Sequence, residues 1–348
     1  MKTVLLGMSG GVDSSVSAIL LKEQGYDVSG VTLHLYEGGC CNLSTTMDAK
    51  EVCRNIGVNH YILDYMDEFR DKVINNFIHE YSVNRTPNPC IECNKFLKFG
   101  LMYKKAKELG IDYVATGHYA KTEYSEKYKR YVLKKANNIA KDQSYVLYSI
   151  PRELLPNIVF PLGEFESKDQ IREIAKEHKL TVASKPDSED ICFIPDGNYK
   201  KYLEENSSLK PKPGEIVNSK GEVLGKHNGL YNYTIGQRKG LGVSHSEPLF
   251  VIGFIGPKNQ LVVGTEKELY KKEALVNDVN WLLIDDLIEP MKVKVKTRYS
   301  TQEADAIIEK QSDDVVKITF DEPQARITPG QSAVFYLDDI VVGGGKII

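Results

Sequence analysis

Short apolar runs alternate with longer amphipathic segments through the first half of this chain. Val4-Leu5-Leu6-Gly7-Met8 is one such run, and the stretch 16–22 that follows has helical periodicity. The pattern predicts strands over 3–8, 28–35, 60–63 and 113–116, and helices over 14–24, 46–55, 68–81 and 93–109. Gly25, Gly57 and Gly110 follow three of these helices as stop signals. Alternation of this kind predicts a parallel sheet with helices on both faces and ligands at the carboxyl ends of its strands. Ser9-Gly10-Gly11 lies at one such end and Thr116-Gly117-His118-Tyr119 at another.

Beyond Gly197 the pattern changes. Lys210-Pro211-Lys212-Pro213-Gly214 is a stiff break, followed by short strands interrupted at Gly221, Gly225, Gly229, Gly236, Gly240 and Gly242. From Lys267 the chain reads as strands over 275–283, 291–299, 306–309, 315–320, 333–337 and 340–342. Met291-Lys292-Val293-Lys294-Val295-Lys296 puts apolar side chains on one face and lysines on the other. A small closed barrel is expected, with Thr328-Pro329-Gly330 and Gly343-Gly344-Gly345 as turns. The expected division is therefore 1–197, α/β; 198–266, mostly β; and 267–348, β-barrel.

Composition narrows the functional classes only slightly. A chain of 348 residues with 41% hydrophobic content can build two or three cored domains. It has no apolar stretch long enough for a membrane span and no secretory leader, so a cytoplasmic protein is expected. A net charge of -3 does not mark a nucleic-acid binder, so any RNA contact must come from local patches. Such patches lie at Lys95, Lys98, Lys104, Lys105 and Lys107, around Lys127 to Lys135, and on the strand from Lys292 to Arg298; taken alone they are ordinary solvated faces.

The chemistry is concentrated in Ser9-Gly10-Gly11-Val12-Asp13-Ser14-Ser15. A glycine turn running into a helix offers backbone N–H groups and the positive end of the helix dipole to an anion. The serines add hydroxyl donors, and Asp13 supplies a carboxylate for a phosphate-bound Mg2+. Neither a Walker-type P-loop nor a dinucleotide G-x-G-x-x-G turn is present here. The pattern resembles the PP-loop ATP pyrophosphatases, whose fold is adenine nucleotide alpha hydrolase-like. That resemblance implies cleavage of ATP between its α and β phosphates to adenylate a substrate oxygen.

The cysteines carry a second signal. Cys53 sits beside Val52 and Ile56 and reads as core, while Cys40-Cys41 is left unassigned. Cys90 and Cys93 stand where a proline-stiffened loop enters a helix, with Lys95 nearby, a setting that favours thiolate. Cys192 falls in a second loop, Asp187-Ser188-Glu189-Asp190-Ile191-Cys192. One C-x-x-C by itself is equally a redox pair, half a zinc site or an accident.

Read together, Ser-Gly-Gly-Val-Asp-Ser-Ser, Thr-Pro-Asn-Pro-x-x-x-Cys-Asn-Lys, Thr-Gly-His-Tyr, Lys-Asp-Gln-Ser-Tyr, Ser-Glu-Asp-Ile-Cys-Phe-Ile, Tyr-Thr-Ile-Gly-Gln-Arg-Lys-Gly and Arg-Tyr resemble, in order, the tRNA-specific 2-thiouridylases. The resemblance implies ATP, Mg2+ and tRNA as reactants and partners, with the C2 oxygen of the wobble uridine in lysine, glutamate and glutamine tRNAs adenylated and then replaced by sulfur. It implies that Gly7, Met8, Ser9, Gly10, Gly11, Val12, Asp13, Ser14, Leu33 and Gly117 meet the nucleotide. It further implies that Asn88, Pro89 and Cys90 meet the target base, and that Lys141, Asp142, Gln143, Arg298 and Tyr299 meet the tRNA.

The usual family motif has Asp where this chain has Cys90. In the Asp form the cysteine matching Cys192 carries a persulfide, supplied by a donor such as a cysteine desulfurase, and the one matching Cys93 resolves it. Cys90 adds a third thiol, so Cys90, Cys93 and Cys192 form a candidate ligand set for a 4Fe-4S cluster with one open iron for hydrosulfide. The cluster is the expectation, with the persulfide relay as the alternative. An amide-forming PP-loop ligase and a non-catalytic iron–sulfur or tRNA-binding module are the competing functions.

Overall fold

The computed structural model describes residues 1–37, 43–186 and 190–348; Cys40, Cys41, Ser188 and Glu189 lie outside them. The amino-terminal strands are β1 (Thr3–Gly7), β2 (Asp27–His34), β3 (Asn59–Asp64), β4 (Tyr113–Thr116), the hairpin β5 (Ala120–Ser125) and β6 (Arg130–Lys135), and β7 (Ile158–Val159). Five of them form an all-parallel sheet ordered β3-β2-β1-β4-β7. Successive residues of β1 face opposite ways, which is why both faces need cover. Val4 and Leu6 pack with the helix Val12–Glu23 and Ile171 of the helix Lys168–Glu177, whereas Leu5 packs with Phe69, Phe77, Leu97 and Phe193.

The helix expected over 93–109 starts earlier. Asn88 caps it through Oδ1, which accepts from the Cys90 amide at 3.1 Å, and Pro89 occupies the first turn, where a missing N–H costs nothing. Winding is continuous from residue 89 to residue 108 and widens to π type over Cys93–Leu101.

Strands β8 (Gly214–Asn218), β9 (Val223–His227), β10 (Phe250–Ile255) and β11 (Gln260–Gly264) form a small sheet ordered β10-β11-β8-β9 around Ile216, Val251, Leu261 and Val263. The remaining strands are β12 (Tyr270–Trp281), β13 (Met291–Lys296), β14 (Ala304–Ser312), β15 (Val315–Ala325), β16 (Ser332–Leu337) and β17 (Ile340–Ile347). They close into a six-stranded barrel through pairing of β12 with both β15 and β17. Thr328-Pro329-Gly330 does form a turn, with Gly330 at φ +89. Gly343-Gly344-Gly345 does not; it lies inside β17. A Cβ there would stand 2.5 Å from the Asn280 carbonyl, 2.8 Å from the Ala333 carbonyl or 2.7 Å from the Asn277 carbonyl, so close strand packing requires the glycines.

Pairing alternation did not reveal that the β5–β6 hairpin extends the barrel's sheet, through Lys134 opposite Ile340. Behind this seam one apolar cluster unites Ile91, Phe99, Tyr145 and Leu147 with Leu282, Val334, Tyr336 and Val341. Polar clamps accompany it: Asn280 Nδ2 donates to the Tyr148 and Ile150 carbonyls at 2.7 and 2.8 Å, and Tyr145 donates to the Ser332 carbonyl at 2.9 Å. Among the described residues no helix is long and apolar enough to cross a membrane.

Asn280→Ala should leave two interdomain carbonyls without their donor and cost about 1–3 kcal/mol. Urea unfolding should show a lower midpoint at unchanged slope; an unmoved midpoint would remove Asn280 from the seam.

Candidate active site

The Ser9–Ser15 turn sits at the carboxyl end of the central strand β1, beside the carboxyl end of β4. Its backbone is tightly confined. Gly10 has φ +69, and a Cβ on it would lie 2.3 Å from the Thr45 carbonyl oxygen. Gly117 meets the same turn from the other side, where a Cβ would stand 2.9 Å from the Ser14 nitrogen. Gly11 caps the helix Val12–Glu23 with no side-chain hydrogen bond, leaving the first amides of that helix available to a ligand.

The hydroxyls in the turn are largely occupied with its own backbone. Ser15 donates to the Gly11 carbonyl at 2.8 Å, and Ser14 accepts from the Ser9 amide at 3.2 Å. Gly7 ends β1, Met8 donates its amide to the Val31 carbonyl at 2.7 Å, and the Met8 and Val12 side chains are core. Leu33 is buried at the end of β2 in the cluster of Leu5, Phe69 and Leu97.

Asp13 is the charged centre. Tyr119 donates its hydroxyl to Oδ1 at 2.7 Å, and the Lys168 ammonium lies 2.6 Å from the same oxygen. A second ammonium, that of Lys185, donates to the Gly10 carbonyl at 3.0 Å and pairs with Asp48 at 2.9 Å. An ammonium on Asp13 shows that this carboxylate accepts a cation, which suits the role of Mg2+ ligand. Tyr119 had a signal in Thr-Gly-His-Tyr. Lys168 and Lys185 had none, because only the fold brings residues so distant in sequence to the turn.

Further residues expected to meet the tRNA support this centre from behind. Gln143 Oε1 accepts from the Tyr119 amide at 3.0 Å, and the Gln143 amide donates to the Tyr119 carbonyl at 2.8 Å. Asp142 is buried and accepts from Ala136 and Ser144; burial raises its carboxyl above the ordinary value despite those bonds. Arg298 is also turned inward, donating to the Ile235 carbonyl at 3.0 Å and to Thr328, so its guanidinium ties the central sheet to the barrel. Tyr299 is exposed, with the Lys296 ammonium 5.5 Å from its ring centre, and Lys141 is partly exposed. Partial burial of its ring against the barrel raises the Tyr299 phenol, with the charges of Asp142 and Cys90 acting in the same direction and that of Lys141 opposing them.

Cys90 is exposed at that helix's start, Cys93 is buried one turn on, and Cys192 is half-buried against the apolar cluster that holds Cys93, Leu33 and Phe193. None of the three is in a disulfide. The expected cluster site does not fit this arrangement: among the described residues no group of three or more His, Cys, Asp or Glu side chains is placed to hold a metal ion. Cys93 is buried in apolar packing, while Cys90 is exposed. Lys95 pairs with Asp278 at 3.7 Å. Cys53 is core, with its thiol pushed up to about 11 by burial. Many of the patch lysines are likewise paired, Lys129 with Glu126, Lys134 with Glu123 and Lys135 with Glu303.

Comparison with known proteins agrees along the whole chain. Residues 2–196 match the family model described as tRNA methyl transferase HUP domain, residues 200–265 the PRC-barrel domain of the same series, and residues 271–347 an aminomethyltransferase beta-barrel domain. A tRNA-specific 2-thiouridylase MnmA of Acetivibrio thermocellus is 51% identical, covering 99% of each chain. Its namesake in Clostridioides difficile is 50% identical, over 99% of this chain and 98% of that one. A solved 4-thiouridine synthetase–RNA complex with bound ATP is similar at 19% identity and TM-score 0.39, over 59% of this chain and 50% of that one.

Two outcomes test this geometry. Gly117→Ala should press a methyl group into the turn and cost about 1–3 kcal/mol of stability in urea unfolding. His118 is half-buried beside Phe99 and Phe160, and burial, with the nearby Lys98 charge acting the same way, holds its imidazole well below the ordinary 6.5. The unfolded chain therefore takes up this proton first, and stability is lost as pH falls through 6.5. His118→Gln should flatten the decline in unfolding free energy between about pH 7 and pH 5. An equally steep decline would show that this imidazole is not the neutral group described.

Proposed function

This chain belongs to the tRNA-specific 2-thiouridylase family, ATP-dependent tRNA sulfurtransferases, and from that premise we propose how its residues divide the reaction. The observation that carries the reading is the continuity of two chemistries. The apolar cluster that begins at Leu5 and Leu33, beside the phosphate turn, also packs Cys93 and Cys192.

A uridine C2 oxygen is a poor leaving group, so it must first be adenylated with release of pyrophosphate. The uncapped amides of the helix Val12–Glu23 receive the phosphate chain, Asp13 is the residue that would hold Mg2+, and Leu33 lies against the adenine. When bound, Mg2+ offsets charge on the departing pyrophosphate. Gly117 lets the β4 turn approach the nucleotide closely, and Tyr119 orients the Asp13 carboxylate. Asn88 and Pro89 flank the extruded wobble base of a lysine, glutamate or glutamine tRNA. Lys141 and Tyr299 meet its anticodon arm, while Asp142, Gln143 and Arg298 hold those contacts in place. Residues 1–197 carry out the chemistry, and 198–266 and 267–348 grip the RNA.

Sulfur arrives as a persulfide on Cys192, which is accessible enough to meet a cytoplasmic donor such as a cysteine desulfurase. The terminal sulfur attacks C2 and AMP leaves. The Cys93 thiolate then attacks the Cys192 sulfur, forming a disulfide and leaving the sulfur on C2; two electrons from a cellular reductant restore the thiols. No step is derived through an iron–sulfur cluster.

Asp13→Ala should abolish tRNA-dependent formation of AMP and pyrophosphate, and Cys192→Ser should retain it while losing 2-thiouridine, as measured by nucleoside chromatography. Persistent thiolation by Cys192→Ser would overturn the relay. Anaerobic reconstitution decides the sulfur route. Parent and Cys90→Ala should bind equally little iron and sulfide, whereas a brown parent protein that loses its iron on Cys90→Ala would replace the relay with cluster chemistry.

A further inference from the structure

ATP brings several negative charges to a turn that itself carries the Asp13 carboxylate, and amide dipoles alone do not offset that total. Two ammonium groups are in place. Lys168 is the first residue of the helix Lys168–Glu177, which is fixed at its start by a capping box between Ser167 and Gln170. Its side chain is only 13% exposed and ends 2.6 Å from Asp13 Oδ1. Lys185 reaches the other side of the turn, on the Gly10 carbonyl at 3.0 Å.

The two lysines are mounted on one brace. Arg172, on the same helix as Lys168, donates through Nη1 to the Ala183 carbonyl at 3.2 Å and through Nη2 to the Lys185 carbonyl at 3.4 Å. The segment carrying Lys185 is thereby tied to the helix carrying Lys168, and both ammonium groups address the same turn. Lys168 also lies over the Tyr119 ring, 5.7 Å from its centre, while Tyr119 donates to the same carboxylate oxygen.

We propose that Lys168 is a placeholder cation: it neutralises Asp13 until Mg2+ and ATP arrive, then exchanges that carboxylate for the oxygens of the phosphate chain, with Lys185 as the second phosphate cation. The proposal rests on the reading of the turn as an ATP site. It makes both lysines positioning residues for the pyrophosphate end of the nucleotide, without contact to its adenosine end. The exchange also allows the turn to remain folded without a ligand, because the carboxylate is never left without a counter-charge.

Equilibrium titrations of the full-length protein with ATP, pyrophosphate and AMP, each with Mg2+, test it. Lys168→Met should weaken ATP and pyrophosphate about tenfold to a hundredfold, the range for losing a hydrogen bond to a charged group, while AMP binds as to the parent. Lys168→Arg should recover much of the loss, and Lys185→Met should show the same selectivity for phosphate-bearing ligands. If Lys168→Met binds ATP as tightly as the parent, or loses AMP in equal measure, the placeholder role is overturned and the ATP site stands. If the parent itself binds neither ATP nor pyrophosphate, the reading of the turn falls and this proposal with it.

Discussion

The Asp13 carboxylate organises this site because three separate parts of the chain meet on it. It stands in the first turn of the helix that follows β1, receives the hydroxyl of Tyr119 from the end of β4, and pairs with Lys168 from a helix far along the sequence. A negative charge in a turn suited to anions is unfavourable unless it is offset, and the offset chosen here is itself exchangeable. Everything around it is arranged to keep that geometry. Gly10 and Gly117 admit backbone where no side chain fits, and Gln143 clasps the main chain of Tyr119 on both its polar groups. Gln143 is in turn next to Asp142, whose bonds to Ala136 and Ser144 reach the barrel through the contact of Ser144 with Tyr336.

That continuity explains why the barrel is more than an appendage. One apolar cluster runs from Ile91, at the cysteine helix, to Val334 and Val341 in the barrel wall. The Pro329 carbonyl accepts from the Thr86 amide and Gln331 donates to the Thr86 carbonyl at 2.7 Å, so the barrel's turn holds the loop that leads to Asn88 and Cys90. The barrel is thereby joined to the segment that carries Asn88 and Cys90. Positive charge is used sparingly along the way: Lys134 and Lys135 are paired with acids, which accords with a net charge of -3.

The sulfur chemistry shows how burial separates residues of one type. Cys53, Cys93, Cys192 and Cys90 span the range from core to surface. Full enclosure makes Cys53 inert, while Cys93 and Cys192 share one apolar cluster. Three cysteines near one another in a list of motifs are not three ligands around one ion.

The parallel sheet, the phosphate turn, the break near residue 210 and the closed barrel were all legible in the sequence, because periodicity, glycine punctuation and a contiguous motif are local properties of the chain. The core role of Cys53 was of the same kind. The tertiary structure alone decided which groups share a volume. It brought Lys168 and Lys185 to the turn, put Gly343 to Gly345 inside a strand where neighbouring carbonyls leave no room for Cβ, turned Arg298 and Asp142 inward, and formed no metal-holding group of three side chains among the described residues. These outcomes depend on long-range packing and on where each charge finds its counter-charge, and neither is encoded in residue spacing along a chain.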